Sequence, residues 1–280
     1  MPQLFYGSIM REGVRIQYYR TGGKKPPLIL LHGLSDNALS WNRLPMLLEV
    51  EYDVLMVDAR GHGLSGLDAL GAGLDVQADD LTALIEQLHL VKPVLIGHSM
   101  GAALAALLAA RMPKVIRGAV LIDPPWRDEA ELIPSNGKER YDETVREGFR
   151  KNKETNLEVL MAKGRAENPG WDDSEFSQWA KAKQQFNIHA LDTVMVRAFP
   201  WYEITPHIAC SGLLITGDPE YGAIITPALA AKIERLWRKG KVIHIPRAGH
   251  NIHRDQFAFV MQAVISYLNK LGRWSPKGKI

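Results

Sequence analysis

The sequence predicts an α/β protein: a doubly wound, mostly parallel sheet of eight strands, with helices on both faces and a helical segment inserted near the middle. Three observations lead to this prediction. Short aliphatic runs alternate with stretches of helical periodicity, an alternating pattern near the start indicates a hairpin, and a long central stretch contains no strand-like run. At 280 residues with 46% hydrophobic content, the chain is long enough for a large α/β domain with a small insert.

The first predicted element is an antiparallel hairpin, because residues 13–20 alternate apolar and polar after the turn-like Arg11-Glu12-Gly13. Later runs are short and aliphatic, as expected of parallel strands buried on both faces. These runs are residues 27–31, 52–57, 94–96, 115–122, 213–215 and 242–245. The helical stretches between and after them are residues 76–88, 102–111, 228–237 and 256–271. Since strand and helix alternate, a parallel sheet wound on both faces follows.

One stretch, residues 124–206, breaks the alternation. It contains charged segments with helical character, of which 138–153 and 155–163 are the clearest. We therefore predict a core domain formed by residues 1–123 and 207–280, with residues 124–206 as an inserted helical cap.

The inserted segment is also rich in aromatic residues for so charged a stretch. Two interpretations are open. The aromatic side chains form a small core of the insert, or some of them form the ceiling of an apolar pocket. The second interpretation makes Trp126 and Trp201 candidate substrate-binding residues.

Charge and composition exclude several classes of function. The 34 basic and 31 acidic residues nearly balance, and no run of Lys and Arg is interleaved with aromatics, so we expect no nucleic-acid partner. The single cysteine, Cys210, excludes an intrachain disulfide and supplies no zinc cluster. Residues 1–10 do not resemble a signal peptide, and no run of about 18 apolar residues occurs. We expect a cytoplasmic protein with no membrane partner.

A glycine-bracketed serine is the strongest local signal. Ser99 follows a short aliphatic run and precedes a helix rich in alanine, and Gly97 and Gly101 flank it. In such a strand-to-helix corner a side chain at either flanking position would collide with backbone, and the serine is exposed as a nucleophile.

A serine hydroxyl needs a base, an acid that orients the base, and backbone donors for the oxyanion. The glycine of His32-Gly33-Leu34 follows a buried strand, so the N–H of Leu34 is one candidate donor. The other is the N–H of Met100, at the start of a helix. His250 follows the last strand and is the candidate base.

Three carboxylates are candidates for the acid. Asp218 and Glu220 follow the penultimate strand, and Asp123 follows the strand after the nucleophile's helix. The chain order of nucleophile, acid and histidine favours Asp218 and Glu220, whereas Asp123 is the less favoured choice.

Four motifs together resemble the α/β-hydrolase superfamily, and the resemblance covers nearly the whole chain. They are His32-Gly33-Leu34, Asp58-Ala59-Arg60-Gly61-His62-Gly63-Leu64-Ser65, Gly97-His98-Ser99-Met100-Gly101 and Gly249-His250, in the order that the superfamily uses. The resemblance implies that Ser99 is the nucleophile and His250 the base. It also implies that Leu34 and Met100 supply the oxyanion hole, and that residues 124–206 form a mobile cap after the sixth strand.

The acid departs from the family pattern. Members commonly place Asp three residues after the strand-ending glycine, a position that Glu220 occupies here, whereas Asp218 follows Gly217 directly. We favour Asp218, because Asp is the usual residue type and a longer loop shifts the register. Relatives with an acid at a position resembling Asp123 also exist.

The implied activity is hydrolysis of a carboxylic ester or lactone of a small apolar substrate through an acyl-enzyme. Similar families use the same machinery on amides, on the carbon–carbon bond of β-diketones, or to make peracids, and these alternatives stay open. A ligand receptor of low turnover is a further alternative, against which Ser99 and His250 argue. No metal or organic cofactor is implied, and the expected partner is a small-molecule substrate.

Overall fold

The computed structural model describes residues 4–128, 143–194, 199–272 and 274. One sheet of eight strands runs through them, in the order β1-β2-β4-β3-β5-β6-β7-β8. The strands are β1 (Phe5–Arg11), β2 (Val14–Arg20), β3 (Pro27–Leu31), β4 (Asp53–Val57), β5 (Val94–His98), β6 (Gly118–Ile122), β7 (Ser211–Thr216) and β8 (Gly240–His244). β1 and β2 form the predicted hairpin, β2 pairs antiparallel with β4, and the remaining pairs are parallel. The predicted fold class is confirmed.

Helices connect and cover the strands. They are α1 (Leu44–Leu48), α2 (Leu74–Gln87), α3 (Met100–Arg111), α4 (Glu143–Glu154), α5 (Leu157–Glu167), α6 (Ser174–Gln185), α7 (Trp201–Ile204), α8 (Pro227–Leu236), α9 (Ile252–Asp255) and α10 (Phe257–Lys270). The four helices predicted for the core correspond to α2, α3, α8 and α10. The sequence did not predict α1 and α9, because five and four residues are too short to display helical periodicity.

The hydrophobic core has two layers, one on each face of the sheet. In β3, Ile29 and Leu31 join the layer covered by α2, α3 and α8, whereas Leu28 and Leu30 join the layer covered by α1 and α10. Alternate residues of a strand point to opposite faces, so both faces of this strand are buried. This burial explains why the parallel strands have continuous aliphatic sequences.

The segment predicted as an insert contains α4, α5, α6 and α7, and no strand occurs among its described residues. The predicted helix 138–153 corresponds to α4, and residues 138–142 lie outside the described part of the chain. α6 packs against both α4 and α5. In the described ranges, no helix has the length and apolar character needed to cross a membrane.

The parallel strands place three loops at one edge of the sheet. Carboxyl ends of parallel strands meet at the same edge, and ligands of open α/β sheets bind there. Ser99 follows β5, Asp123 follows β6, and His250 lies in the loop after β8. The candidate residues therefore converge through the topology of the sheet.

Candidate active site

The turn between β5 and α3 holds Ser99 in an unusual backbone conformation. Its φ is 51° and its ψ is −118°, a region that non-glycine residues rarely adopt. A Cβ on Gly97 would lie 2.1 Å from the carbonyl oxygen of Gly101, and a Cβ on Gly101 would lie 2.1 Å from that of Leu31. Both positions therefore require glycine, as the sequence indicates.

Ser99, His250 and Asp123 form a continuous chain of hydrogen bonds. The Ser99 Oγ lies 2.9 Å from Nε2 of His250. On the other side of the ring, Nδ1 of His250 lies 2.6 Å from a carboxylate oxygen of Asp123. This arrangement makes Nδ1 the donor to the carboxylate and leaves Nε2 able to accept the serine proton.

The Asp123 carboxylate is fully buried and held in place by backbone donors. It accepts hydrogen bonds from the N–H of Ile224, at 2.9 and 3.1 Å, and of Ile225, at 3.0 Å. Its backbone φ is 41°, in the left-handed region. A carboxylate loses its hydrogen bonds to water when it is buried. Hydrogen bonds from the backbone amides replace them here, so the charged group is tolerated in the interior.

Asp218, the predicted acid, does not contact His250, because its carboxylate has other partners. One oxygen accepts from the backbone N–H of Arg247 at 2.6 Å, and the other lies 2.9 Å from Nε2 of His244. Glu220 is exposed to solvent and makes no contact with the His250 ring. The carboxylate that faces His250 is Asp123, which sequence order had ranked below both.

The loop after β8 explains this outcome. It crosses directly over the end of β7, where a Cβ on Gly217 would lie 2.3 Å from the carbonyl oxygen of Ala248. The N–H of Asp218 donates to the same carbonyl at 2.8 Å. Because the loop lies on top of Asp218, it carries His250 past β7 to the end of β6, where Asp123 lies.

The two proposed oxyanion donors are the backbone N–H groups of Leu34 and Met100. Neither N–H donates a hydrogen bond to another residue in the described ranges. The turn that contains Leu34 is held by His32, whose Nδ1–H donates to the Gly33 carbonyl at 2.8 Å and whose Nε2 accepts from the N–H of Ala59 at 3.1 Å. Burial lowers the pKa of His32, in keeping with a neutral ring that holds this turn.

Another buried histidine holds the backbone of His250. Nε2–H of His98 donates to the His250 carbonyl at 2.9 Å, and the two ring centroids are 4.8 Å apart. Burial lowers the pKa of His98, so the ring is neutral at ordinary pH. His98 therefore positions His250 and does not compete with it for the Ser99 hydroxyl.

A pocket of about 310 Å³ opens at Ser99. Its apolar wall includes Pro125, Trp179 and Ile224. Its charged lining consists of Asp36, Arg127, Lys183 and Arg254. These four charged residues were not predicted, because no sequence motif indicates which charged side chains line a pocket.

Most of these charges form a buried network at one side of the pocket. Asp36 accepts from Arg254 at 3.0 Å and lies 3.3 Å from Nζ of Lys183, while Arg254 also lies 3.4 Å from Glu175. Lys183 further donates to the hydroxyl and carbonyl of Ser35. Burial alone would raise the pKa of Asp36, but Arg254 and Lys183 outweigh it and hold that pKa well below its usual range. Burial lowers the pKa of Lys183.

Comparison with known families identifies the family of the chain. Residues 28–263, which are most of the chain, match the model of the alpha/beta hydrolase family. The chain belongs to the α/β-hydrolase family. As its relatives are hydrolases, this α/β hydrolase is assigned to the same enzyme class.

Two curated relatives align along most of the chain. The N-formylmaleamate deformylase of Pseudomonas putida is 28% identical over 257 residues, which cover 89% of this chain and 91% of the deformylase. An sn-1-specific diacylglycerol lipase of Mus musculus is 30% identical over 261 residues, which cover 87% of this chain and 81% of the lipase. Among solved structures, an N-formylmaleamic acid deformylase from Pseudomonas putida S16 superposes with a TM-score of 0.75 at 24% identity. That superposition covers 93% of this chain and all of the deformylase.

The glycine-rich motif that begins at Asp58 has a structural role in this α/β hydrolase. The Asp58 carboxylate accepts from the N–H groups of Ala38 and Leu64, at 2.7 and 2.9 Å. Arg60 is fully buried and forms a two-point ion pair with Asp80, at 2.6 and 2.9 Å. The motif thus fixes loops beneath the site and contributes no side chain to the Ser99 pocket.

Trp126 and Trp201 do not lie on the Ser99 pocket, which corrects their prediction as substrate-binding residues. Both are almost fully buried, and their ring centroids lie 6.1 Å apart in a stacked arrangement. The ring of Phe199 also stacks on Trp126, at 6.0 Å. The indole N–H of Trp201 donates to the carbonyl of Arg127 at 2.6 Å. The rings belong to the hydrophobic core, and Trp179 is the tryptophan that faces the pocket.

Proposed function

We propose that this α/β hydrolase is a serine hydrolase that cleaves carboxylic esters through an acyl-enzyme on Ser99. One observation carries the proposal: the hydrogen bonds of 2.9 and 2.6 Å that join Ser99 to His250 and His250 to Asp123. A nucleophile, a base and an orienting acid in this order are the requirement for acyl transfer from a serine hydroxyl.

The proposed reaction has two halves. In the first, His250 takes the Ser99 proton while Oγ attacks the ester carbonyl, and the same histidine then protonates the departing alcohol. In the second, His250 activates a water molecule, which attacks the acyl-enzyme and releases the acid. Asp123 holds the imidazole in the required tautomer and stabilises the imidazolium that forms in each half.

Charge develops on the carbonyl oxygen in both halves. The N–H groups of Leu34 and Met100 are the proposed donors, since neither is used by another described residue. Met100 is also the first residue of α3, where the helix dipole favours negative charge. Loss of one such donor costs about 3 kcal/mol of transition-state stabilisation in comparable sites.

Cleavage of an amide or formamide is a second candidate function. It is favoured by the relative named as an N-formylmaleamate deformylase, which aligns over 89% of this chain. The lipase relative favours an ester. Both reactions use the same steps and differ in the leaving group that His250 protonates.

The deciding experiment compares the wild-type chain with Ser99→Ala. We expect p-nitrophenyl butyrate to be hydrolysed with a burst of p-nitrophenol, and Ser99→Ala to abolish turnover without lowering the unfolding temperature. A fluorophosphonate should add its mass at Ser99. Label on another residue, or turnover by the folded Ser99→Ala variant well above the uncatalysed rate, would refute a serine nucleophile.

A further inference from the structure

The Ser99 pocket has an unbalanced charge. Three cationic residues line it: Arg127, Lys183 and Arg254. The buried carboxylates of Asp36 and Glu175 pair with Lys183 and Arg254, which leaves Arg127 as the cation in excess. An unpaired cation in a concave site attracts ligands of the opposite charge. The pocket therefore has the electrostatics of a site for an anion.

The three cations differ in how they are used. Arg254 is fully engaged, because its guanidinium contacts Asp36, Glu175 and the amide oxygen of Asn251. Lys183 is likewise held, by Asp36 and by Ser35. Asp36 and Glu175 balance the charges of these two side chains, and few of their donors are free.

Arg127 is different. Its guanidinium makes no hydrogen bond or ion pair with another residue in the part of the chain that the structure describes. The residue as a whole is half-buried, and it lines the pocket. Its main chain is fixed, since the Arg127 carbonyl accepts from the indole of Trp201 at 2.6 Å. A guanidinium presents two parallel N–H donors, which match the two oxygens of a carboxylate.

We propose that Arg127 binds a carboxylate group carried by the substrate, so that this α/β hydrolase selects anionic substrates. This inference rests on the proposed function, because it assigns a substrate class to the same site. It also replaces the apolar substrate that the sequence predicted. The apolar wall of Pro125, Trp179 and Ile224 then contacts the carbon chain between the carboxylate and the scissile bond.

Two pairs of esters test the proposal, each with a neutral member that matches the anionic one. The first pair is mono-p-nitrophenyl adipate and its methyl ester, which place the charge on the acyl side. The second is 4-acetoxybenzoate and its methyl ester, which place it on the alcohol side. Each kcat/KM is referred to the alkaline hydrolysis rate of the same ester, so that intrinsic reactivity does not decide the comparison.

We expect the anionic member of at least one pair to be preferred, and Arg127→Met to lower its kcat/KM roughly 10- to 100-fold, mainly through KM. The neutral member should change by less than about threefold. Arg127→Lys should retain part of the preference. Lys181→Met removes the same charge from an exposed position on α6 and should alter neither member.

A binding measurement keeps the proposal independent of turnover. Calorimetry of adipate with the Ser99→Ala protein should show binding that Arg127→Met weakens about tenfold or more. Absence of adipate binding, or equal binding by the Arg127→Met variant, would overturn the proposal. So would hydrolysis of neutral esters with no preference for the charged member of either pair. If adipate binds through Arg127 but Ser99 is not labelled, the carboxylate site stands and the proposed function fails.

Discussion

The ends of β6 and β7 carry two carboxylates on neighbouring strands, and the protein treats them differently. Asp123 is completely buried, accepts from the N–H groups of Ile224 and Ile225, and faces His250. Asp218 is partly exposed and binds the backbone of Arg247 and the ring of His244. Asp123 contacts His250, and Asp218 stabilises the loop that carries His250.

The difference shows that the path of a loop over the sheet decides which acid reaches a histidine. The loop after β8 lies directly on Gly217, at the end of β7, and the Asp218 carboxylate binds the backbone of that loop instead of the His250 ring. Asp123 needs only its position after β6 and a left-handed backbone to meet the ring. Order along the chain carries no information about this crossing.

The largest expected effect is the difference in kcat between the Asp123→Asn and Asp218→Asn variants. Asp123→Asn should lower kcat about 10⁴-fold, because an amide stabilises the wrong tautomer of His250 and cannot balance the imidazolium. Asp218→Asn should change kcat by less than about threefold. The measurement is kcat at saturating p-nitrophenyl butyrate, with thermal unfolding recorded for each variant.

Glu220→Gln is the matched control for this comparison, since it removes a charge from an exposed carboxylate on the same loop. It should behave as wild type. A folded Asp218→Asn variant with the large loss, beside an active Asp123→Asn variant, would reverse the assignment of the acid.

The sequence predicted the sheet, and it predicted that Ser99 and His250 lie at one edge of it, because these features depend on local constraints. Gly97 and Gly101 are required by backbone atoms within their own turn and the adjacent strand, so the pattern alone indicates the corner that exposes Ser99. The aliphatic runs reflect burial on both faces of each parallel strand. His250 follows from its place after the last strand.

The acid, the pocket charges and the aromatic residues depend on packing that no local pattern encodes. On α6, Lys181 is exposed while Lys183 lies over Ser35, and only the contact between helices distinguishes them. Trp126 and Trp201 are aromatic residues in a charged segment, but composition does not say whether a ring faces a pocket or the core. The predictions for Asp218, Trp126 and Trp201 differ from the structure because the direction of each side chain depends on packing, which the sequence does not show.

Asp36 extends the comparison to a buried carboxylate that has cations as partners and no histidine. Asp36→Asn should lower the free energy of unfolding by about 3 kcal/mol at neutral pH, because Arg254 and Lys183 are left buried beside an uncharged amide. Since the folded-state pKa of Asp36 is depressed, its stabilisation is present above the unfolded-state pKa and is lost as the pH falls below about 4.

Urea unfolding at a series of pH values checks this expectation. The difference in unfolding free energy between wild type and Asp36→Asn should be largest at neutral pH and should become smaller in acid. Glu220→Gln should have the unfolding free energy of wild type at both neutral and acid pH. A difference in unfolding free energy that stays constant through the acid range would mean that the charge of Asp36 does not stabilise its contacts with Arg254 and Lys183.

The smallest expected effect concerns the loop that Asp218 holds. Asp218→Ala removes the acceptor for the N–H of Arg247, a residue whose φ of 57° lies in the left-handed region, and should cost about 1 kcal/mol of unfolding free energy. Asp218→Asn keeps an oxygen that can accept the same N–H, so it should cost less. Both values come from urea unfolding, with kcat measured on the same preparations. A folded Asp218→Ala variant whose kcat falls more than about tenfold would contradict this expectation. It would mean that Asp218 is needed to hold the loop in the position that places His250 beside Ser99.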